Sequence, residues 1–356
     1  MGPAQELKTP SQAAAAAQDG DVVLIEAGDY VGDSAVWRRN GLLIRGINGR
    51  PRLVARGRLA EDKAIWVVSG RDITIENFEF SGARVPSRNG AGIRAQGRGL
   101  TVRASAFLDN QMGILTNNSA DNWLVVEFSE FGFNGMDSGR FHHGLYAGRI
   151  GRLTVRFSYF HHGRNGHLLK SRARVNDVRY SRFIDGKDGQ ASLELDFSEG
   201  GDVTVIGNVI DQAATSPNVH VISYAAEARG SKGGQFVVAF NTILTRRRNT
   251  VFVANRSVTT GTVAFNVFAG APELSTSGPL TLVANNLVGS DSLVDADAGD
   301  YRLVSSPPVA NLDTAGSTLD LVAFRPTFEP VSVTGARQRA ERSPPTAGAF
   351  EYCSGI

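Results

Sequence analysis

Residues 153–183 read LTVRFSYF, HHGRNGHLLKSRARV, NDVRYSRF, and the two outer segments decide the fold. Each is an eight-residue unit of alternating apolar residues closing on a phenylalanine, Phe160 or Phe183, 23 residues apart. Alternation at a period of two is the pattern of a strand with one face buried. Working outward, the unit recurs upstream as ITIENFEF, LTVRASAF and LVVEFSEF, and downstream as VTVIGNVI, FVVAFNTI, GTVAFNVF and LTLVANNL. The nine ends, from Phe80 to Leu287, are spaced by 19 to 33 residues. Short strands at this spacing cannot bury their own apolar faces, so successive units must stack as coils.

A second regularity fixes the register of the stack. Two residues before the last eight of those ends stand Ser105, Ser129, Ser158, Ser181, Asn208, Asn241, Asn266 and Asn285. A hydroxyl or amide repeated at one position can hydrogen-bond to its equivalents above and below, satisfying polar groups at a buried bend. Between the units lies another short strand, seen in Gly92-Ile93-Arg94, Gly113-Ile114-Leu115, Gly144-Leu145-Tyr146, Leu169-Lys170, Leu193-Glu194 and Val221-Ile222. Neither the regular leucine spacing of leucine-rich repeats nor the longer blade of a propeller is present. The expected fold is all-β: a single-stranded right-handed parallel β-helix with an N-terminal helical cap. Residues 1–356 are read as one domain, with about 1–30 as the cap and about 290–356 as a closing segment.

Particular segments carry a family resemblance. DGDVVLIEAGDY (19–30) resembles the opening of the pectate-lyase-like β-helix superfamily, and YRLVSSPPVANL (301–312) with AGAFEY (347–352) resembles its closing segment. GHLLKSRA (166–173), DGQASLELDFSEGG (188–201) and ISYAAEA (222–228) resemble bacterial right-handed β-helix repeat proteins of that superfamily. The resemblance implies a carbohydrate-active protein, and for its lyases a basic residue as the catalytic base, sometimes with calcium bridging the substrate carboxylate.

Composition permits a large core, with 42% hydrophobic and 20% charged residues. The single cysteine, Cys353, has no partner for an intramolecular disulfide. No run is long and apolar enough to span a membrane, and MGPAQELKTP lacks the charged-then-apolar pattern of a signal peptide. Net charge is only +2, but its distribution is uneven. Between Arg140 and Lys187 lie 11 lysines and arginines against Asp177 and Asp185, a local excess of +9. All six histidines fall between 142 and 220. A positive belt attracts anionic ligands. Its bland reading is a solubilising surface, and the histidines individually read as turn or packing residues.

Strand alternation then selects side chains. With Ile93, Ile114, Leu145, Leu169, Leu193 and Val221 inward, Arg94, Leu115, Tyr146, Lys170, Glu194 and Ile222 form an outward column. Gln96, Asn117, Gly148, Arg172, Asp196 and Tyr224 form the next. Coils about 4.8 Å apart would make Tyr146, Lys170 and Glu194 successive neighbours.

This belt suits β-elimination of a uronic-acid polysaccharide, which requires neutralising a carboxylate, removing the C5 proton and protonating the leaving oxygen. Lys170 or Arg172 is expected as base, the other pairing with the carboxylate. Tyr146 or His143 is the expected proton donor. Arg94, His167, Arg174, Glu194, Asp196, His220 and Tyr224 complete the expected substrate-binding set. No organic cofactor is implied. Calcium would fall to Glu194 and Asp196, which read equally as partners of Lys170 and Arg172.

A glycoside hydrolase would instead use Glu194 and Asp196, with Asp185 or Asp188, as acid and base. A third class is a non-catalytic glycan-binding protein, with Tyr146, Tyr224 and Trp123 stacking on sugars. No nucleic-acid module or zinc-ligand spacing is present, so neither nucleic acid nor a structural metal is expected. An acidic-polysaccharide partner implies a secreted or periplasmic protein.

Overall fold

A computed structural model describes residues 1–136, 142–304, 324–331, 333–341 and 345–352. Arg140, Cys353 and most of the 301–312 segment lie outside the described residues. The chain is mostly β, a parallel β-solenoid with one short helix near its start. Its residues group into two compact units, Met1–Thr154 with Phe160–Val175, and Val155–Tyr159 with Asn176–Ile356.

In the first unit each coil gives one strand to each of three parallel sheets. The first sheet contains Val22–Glu26, Leu43–Ile47, Ile73–Glu76, Leu100–Arg103 and Ser119–Glu127. The second contains Asp29–Val31, Arg52–Val54, Glu79–Ser81, Ala106–Leu108, Glu130–Gly132 and Tyr159–His161, the last of which begins in the other unit. The third contains Ala35–Trp37, Ala64–Val68, Ala91–Ala95, Met112–Thr116, Leu145–Ala147 and His167–Ser171. The solenoid strands therefore begin at Val22, inside the stretch expected to form the cap. The helix is confined to Pro10–Ala16, where Thr9 and Gln12 make a reciprocal capping box, and Pro10 and Ala13 face inward.

The repeated aromatic ends build the core. Phe80, Phe107, Phe131 and Phe160 stack ring on ring, with centroids 5.1, 4.8 and 4.5 Å apart and planes within 12°. In-register parallel coils place identical side chains at one level, which makes such stacking the direct consequence of the repeat.

The Ser/Asn register forms hydrogen-bonded ladders. In the first unit the Phe78 N–H donates to Ser105 Oγ and the Ser105 N–H to Ser129 Oγ, both at 3.2 Å. In the second, the same link runs from Ser158 to Ser181, then through Asn208, Asn241 and Asn266 to Asn285 at 2.9–3.2 Å. Ahead of each ladder residue the chain passes through left-handed backbone. Ala104 and Phe128 do so in one unit, and Phe157, Tyr180, Gly207, Phe240, Phe265 and Ala284 in the other, with φ of 46–67°. For non-glycine residues this conformation costs about 1–3 kcal/mol, so each ladder secures a strained bend between the first and second sheets.

The second unit repeats the arrangement, with third-sheet strands Leu193–Phe197, His220–Tyr224, Val251–Asn255 and Thr276–Ser277. Here the expected register is off by one. Leu195 pairs with Ile222 and Val253, while Asp196 pairs with Ser223 and Phe197 with Tyr224. The strand HVISY offers two alternating sets, and the inward face takes Ile222 and Tyr224 because they bury more apolar surface than Val221 and Ser223. The closing segment contributes two hairpins, Leu293–Asp295 with Asp300–Leu303 and Phe328–Pro330 with Ala336–Gln338. Tyr301 donates to the buried Asp211 at 2.7 Å, and Arg246 forks onto the same carboxylate.

Candidate active site

The third sheet of the first unit aligns Ile93, Ile114, Leu145 and Leu169, all buried, in one column. Their successors Arg94, Leu115, Tyr146 and Lys170 align on the opposite face. Arg172 follows one position past the Lys170 strand, with its N–H bonded to the Ala147 carbonyl. A glycine makes this alignment possible at its start. A Cβ on Gly166 would overlap the His142 carbonyl oxygen, so the chain can enter the His167 strand this close only without a side chain.

Tyr146 is the centre of the resulting cluster. An Arg172 guanidinium N–H donates to the Tyr146 hydroxyl oxygen, and the Arg172 Cζ lies 5.4 Å from the ring centroid. Lys170 Nζ lies 5.9 Å from the same centroid, within cation–π range. Arg94, half-buried on the same face, also interacts with Tyr146. Burial pulls the Arg94 guanidinium below the usual arginine range, an effect that Tyr146 partly offsets. The Arg94 Nε–H is buried without an acceptor among the described residues. Leu115 and Met112 form the apolar floor and pack with Ala60, Ala64, Val67 and Ala91, against which Tyr146 rests. Sequence reading had singled out neither Met112 nor this packing. Met112 opens its strand with no polar signal.

His143 and His167 lie behind Tyr146. Their rings stack at 4.7 Å and 25°, and His143 meets the Tyr146 ring edge-to-face at 5.3 Å. The His143 N–H bonds to Met112 Sδ at 3.1 Å, and the His167 N–H donates to His143 Nδ1 at 3.0 Å. That bond assigns the His143 proton to Nε2. Exposure is 4% for His143 and 7% for His167. Burial first, then the positive charge of His167 and Lys170, holds His143 well below the usual histidine range. Burial and Lys170 bring His167 to about 3. The expected proton donor His143 is thus buried and packed between Met112, Tyr146 and His167. Arg174 lies exposed in the turn after the His167–Ser171 strand, its N–H bonded to the Ile150 carbonyl.

The other expected residues belong to the second unit, where Glu194, Asp196 and Tyr224 are buried. Glu194 is 0% exposed, and neither carboxylate oxygen has a hydrogen-bond partner among the described residues. Burial, with Asp185 and Asp211 adding, pushes its pKa well above the carboxylate range while Arg247 opposes. Asp196 is buried on the same strand. Tyr224 is 0% exposed, stacks on Phe236 at 4.3 Å and donates to the Gly201 carbonyl at 2.8 Å. It is a core residue, as the corrected register requires. His220 is half-buried, receives a hydrogen bond from Arg256 at Nε2 and faces Asn218 Oδ1 with Nδ1. Among the described residues no group of three or more His, Cys, Asp or Glu could hold a metal.

Part of the basic belt is structural. Asp177 pairs with both Arg156 and Arg179, Asp109 with Arg164, and Asp297 with Lys187. Trp123 lies over Gly99, whose Cβ would collide with the indole.

The fold is a parallel β-solenoid. The chain is similar to the crystal structure of pectate lyase Pel9A, with a TM-score of 0.63 over 97% of this chain and 91% of that one. Sequence identity is 15%, so the likeness establishes the fold alone. No protein-family model matches the chain, and no curated protein matches it in sequence.

Proposed function

We propose that the protein is a polysaccharide lyase that cleaves a uronic-acid-containing polysaccharide by β-elimination at Arg94, Tyr146, Lys170 and Arg172. The observation that carries this reading is the single outward cluster in which an Arg172 N–H bonds the Tyr146 hydroxyl while Lys170 stands over its ring. Neutralising the uronate carboxylate acidifies the C5 proton, and Arg94, Lys170 and Arg172 supply that charge. Tyr146 supplies an oxygen able to exchange a proton within the cluster. The likeness to a pectate lyase supports the reading at the level of fold. The hydrolase reading loses support because Glu194 is sealed from solvent. A substrate of this kind lies outside the cytoplasm, so secretion or export to the periplasm belongs to the same proposal.

Incubation with a panel of acidic polysaccharides tests it. Unsaturated uronate ends should accumulate with at least one member, and Lys170→Ala and Arg172→Ala should each slow their appearance. New reducing ends without unsaturation would indicate a hydrolase, and binding without turnover a glycan-binding protein. Full elimination activity in both variants would remove this site from the reaction.

A further inference from the structure

We propose that Tyr146 itself is the base of the elimination, acting as a phenolate, and then the acid that protonates the leaving oxygen. This assignment rests on the lyase reading and replaces the expected lysine or arginine base. The geometry favours it in three ways. First, the Tyr146 oxygen accepts a hydrogen bond from the Arg172 guanidinium. An oxygen that accepts from a fixed cation is stabilised in its ionised form. Second, Lys170 Nζ and Arg172 Cζ lie 5.9 and 5.4 Å from the Tyr146 ring centroid, so two basic side chains are held against the ring. A guanidinium in particular gives up its proton only above about pH 12. Third, three groups described beside Tyr146 are poor bases. Leu115 is apolar, Arg94 is cationic, and the Nδ1 lone pair of His143 is already used by the His167 N–H.

The step balances without a cofactor. The phenolate oxygen takes the C5 proton, and the C5–H electron pair becomes the C4–C5 double bond. The C4–O4 bond breaks with its pair on the leaving oxygen. That oxygen takes the proton back from the Tyr146 hydroxyl, restoring the phenolate. One residue serving both steps requires the C5 proton and the leaving oxygen to lie on the same side of the sugar.

Two measurements test the proposal, and one of them needs no substrate. The ultraviolet difference titration of wild type against Tyr146→Phe isolates one phenol, and the change removes a single oxygen. Tyr146 should ionise below the usual value of about 10, and Arg172→Ala should move its ionisation upward. Ionisation at about 10 or above, or indifference to Arg172→Ala, overturns the proposal. On a polysaccharide that wild type cleaves, Tyr146→Phe should lower kcat by about 100-fold to 10,000-fold. Lys170→Ala should slow turnover while leaving the rising limb of the pH–rate profile in place. A rising limb that disappears with Lys170→Ala, or survives Tyr146→Phe, assigns the base elsewhere. Elimination that persists with an ordinary Tyr146 titration overturns the base assignment alone. A lowered titration with no polysaccharide cleaved overturns the lyase reading and the catalytic role with it.

Discussion

His143 and His167 are neutral because they are buried, and this sets a sign for acid sensitivity. Their folded-state pKa values lie below the unfolded value near 6.5, with His167 at about 3. Their contribution to stability is therefore present above about pH 6.5 and is lost as the pH falls toward the folded values, because the unfolded chain binds the protons. Each adds a slope of at most about 1.4 kcal/mol per pH unit. His143→Asn keeps an acceptor for the His167 N–H without a titrating ring, so urea unfolding from pH 7 to 4 should show a shallower loss. An unchanged slope would contradict the burial argument. Glu194 has the opposite sign. Its folded pKa is raised, so its penalty is absent below the unfolded value of 4.5 and grows as the pH rises above it. Glu194→Gln should raise the unfolding midpoint at pH 7.5 and leave it nearly unchanged at pH 4; a gain that is equal at both values would contradict this. At this scale Arg94, Tyr146 and Lys170 were legible because one alternating strand recurs with a clear apolar anchor. Tyr224 was misplaced because two adjacent apolar residues, Val221 and Ile222, could each have served as the anchor, whereas Glu194 and Asp196 alternate with Leu193 and Leu195 as expected and differ only in being buried.

The ladders determine how much each coil tolerates. Asn241 accepts from the Asn208 N–H and side chain and donates to the Val205 and Ala239 carbonyls. Its removal strands several buried polar groups beside a left-handed bend, so Asn241→Ala should cost about 2–4 kcal/mol. Ser105 accepts one N–H and donates to the Arg103 carbonyl, and Ser105→Ala should cost about 1–2 kcal/mol. Equilibrium denaturation of the two variants checks the order; equal losses would contradict the ladder account. The ladder was readable because Ser or Asn stands at a fixed offset from the apolar end. The first three coils carry Gly28, Pro51 and Phe78 at that position, as the pairing of Tyr30, Leu53 and Phe80 shows, and only the third of them was read among the repeats. A second ladder, in which the Ala83 N–H donates to Asn110 and the Asn110 N–H to Asn134, was also missed. It lies at the corner leading to the third sheet, beyond the repeated eight-residue unit, so the alternation that flagged the other ladder does not reach it.

At the scale of the whole molecule, stacking converts a sequence period into a surface. Residues 94, 115, 146 and 170 are distant in the chain and adjacent across the sheet because each coil places its outer side chain at the same level. The solenoid followed from alternation and period, which are properties of the backbone and its burial. The chemistry was less legible, because a positive belt serves folding as well as binding. Arg156, Arg164, Arg179 and Lys187 are tied to aspartates, and Lys170 and Arg172 converge on a tyrosine. That convergence is a three-dimensional property, invisible in net charge. Its chemical consequence is best read in the mass of the product. Oligosaccharides released from a cleaved acidic polysaccharide should be one water lighter than hydrolysis products, and should be absent when Lys170 and Arg172 are both alanine. Fragments of full hydrolytic mass, or unsaturated fragments formed as fast by the double variant, would contradict a lyase built on this face.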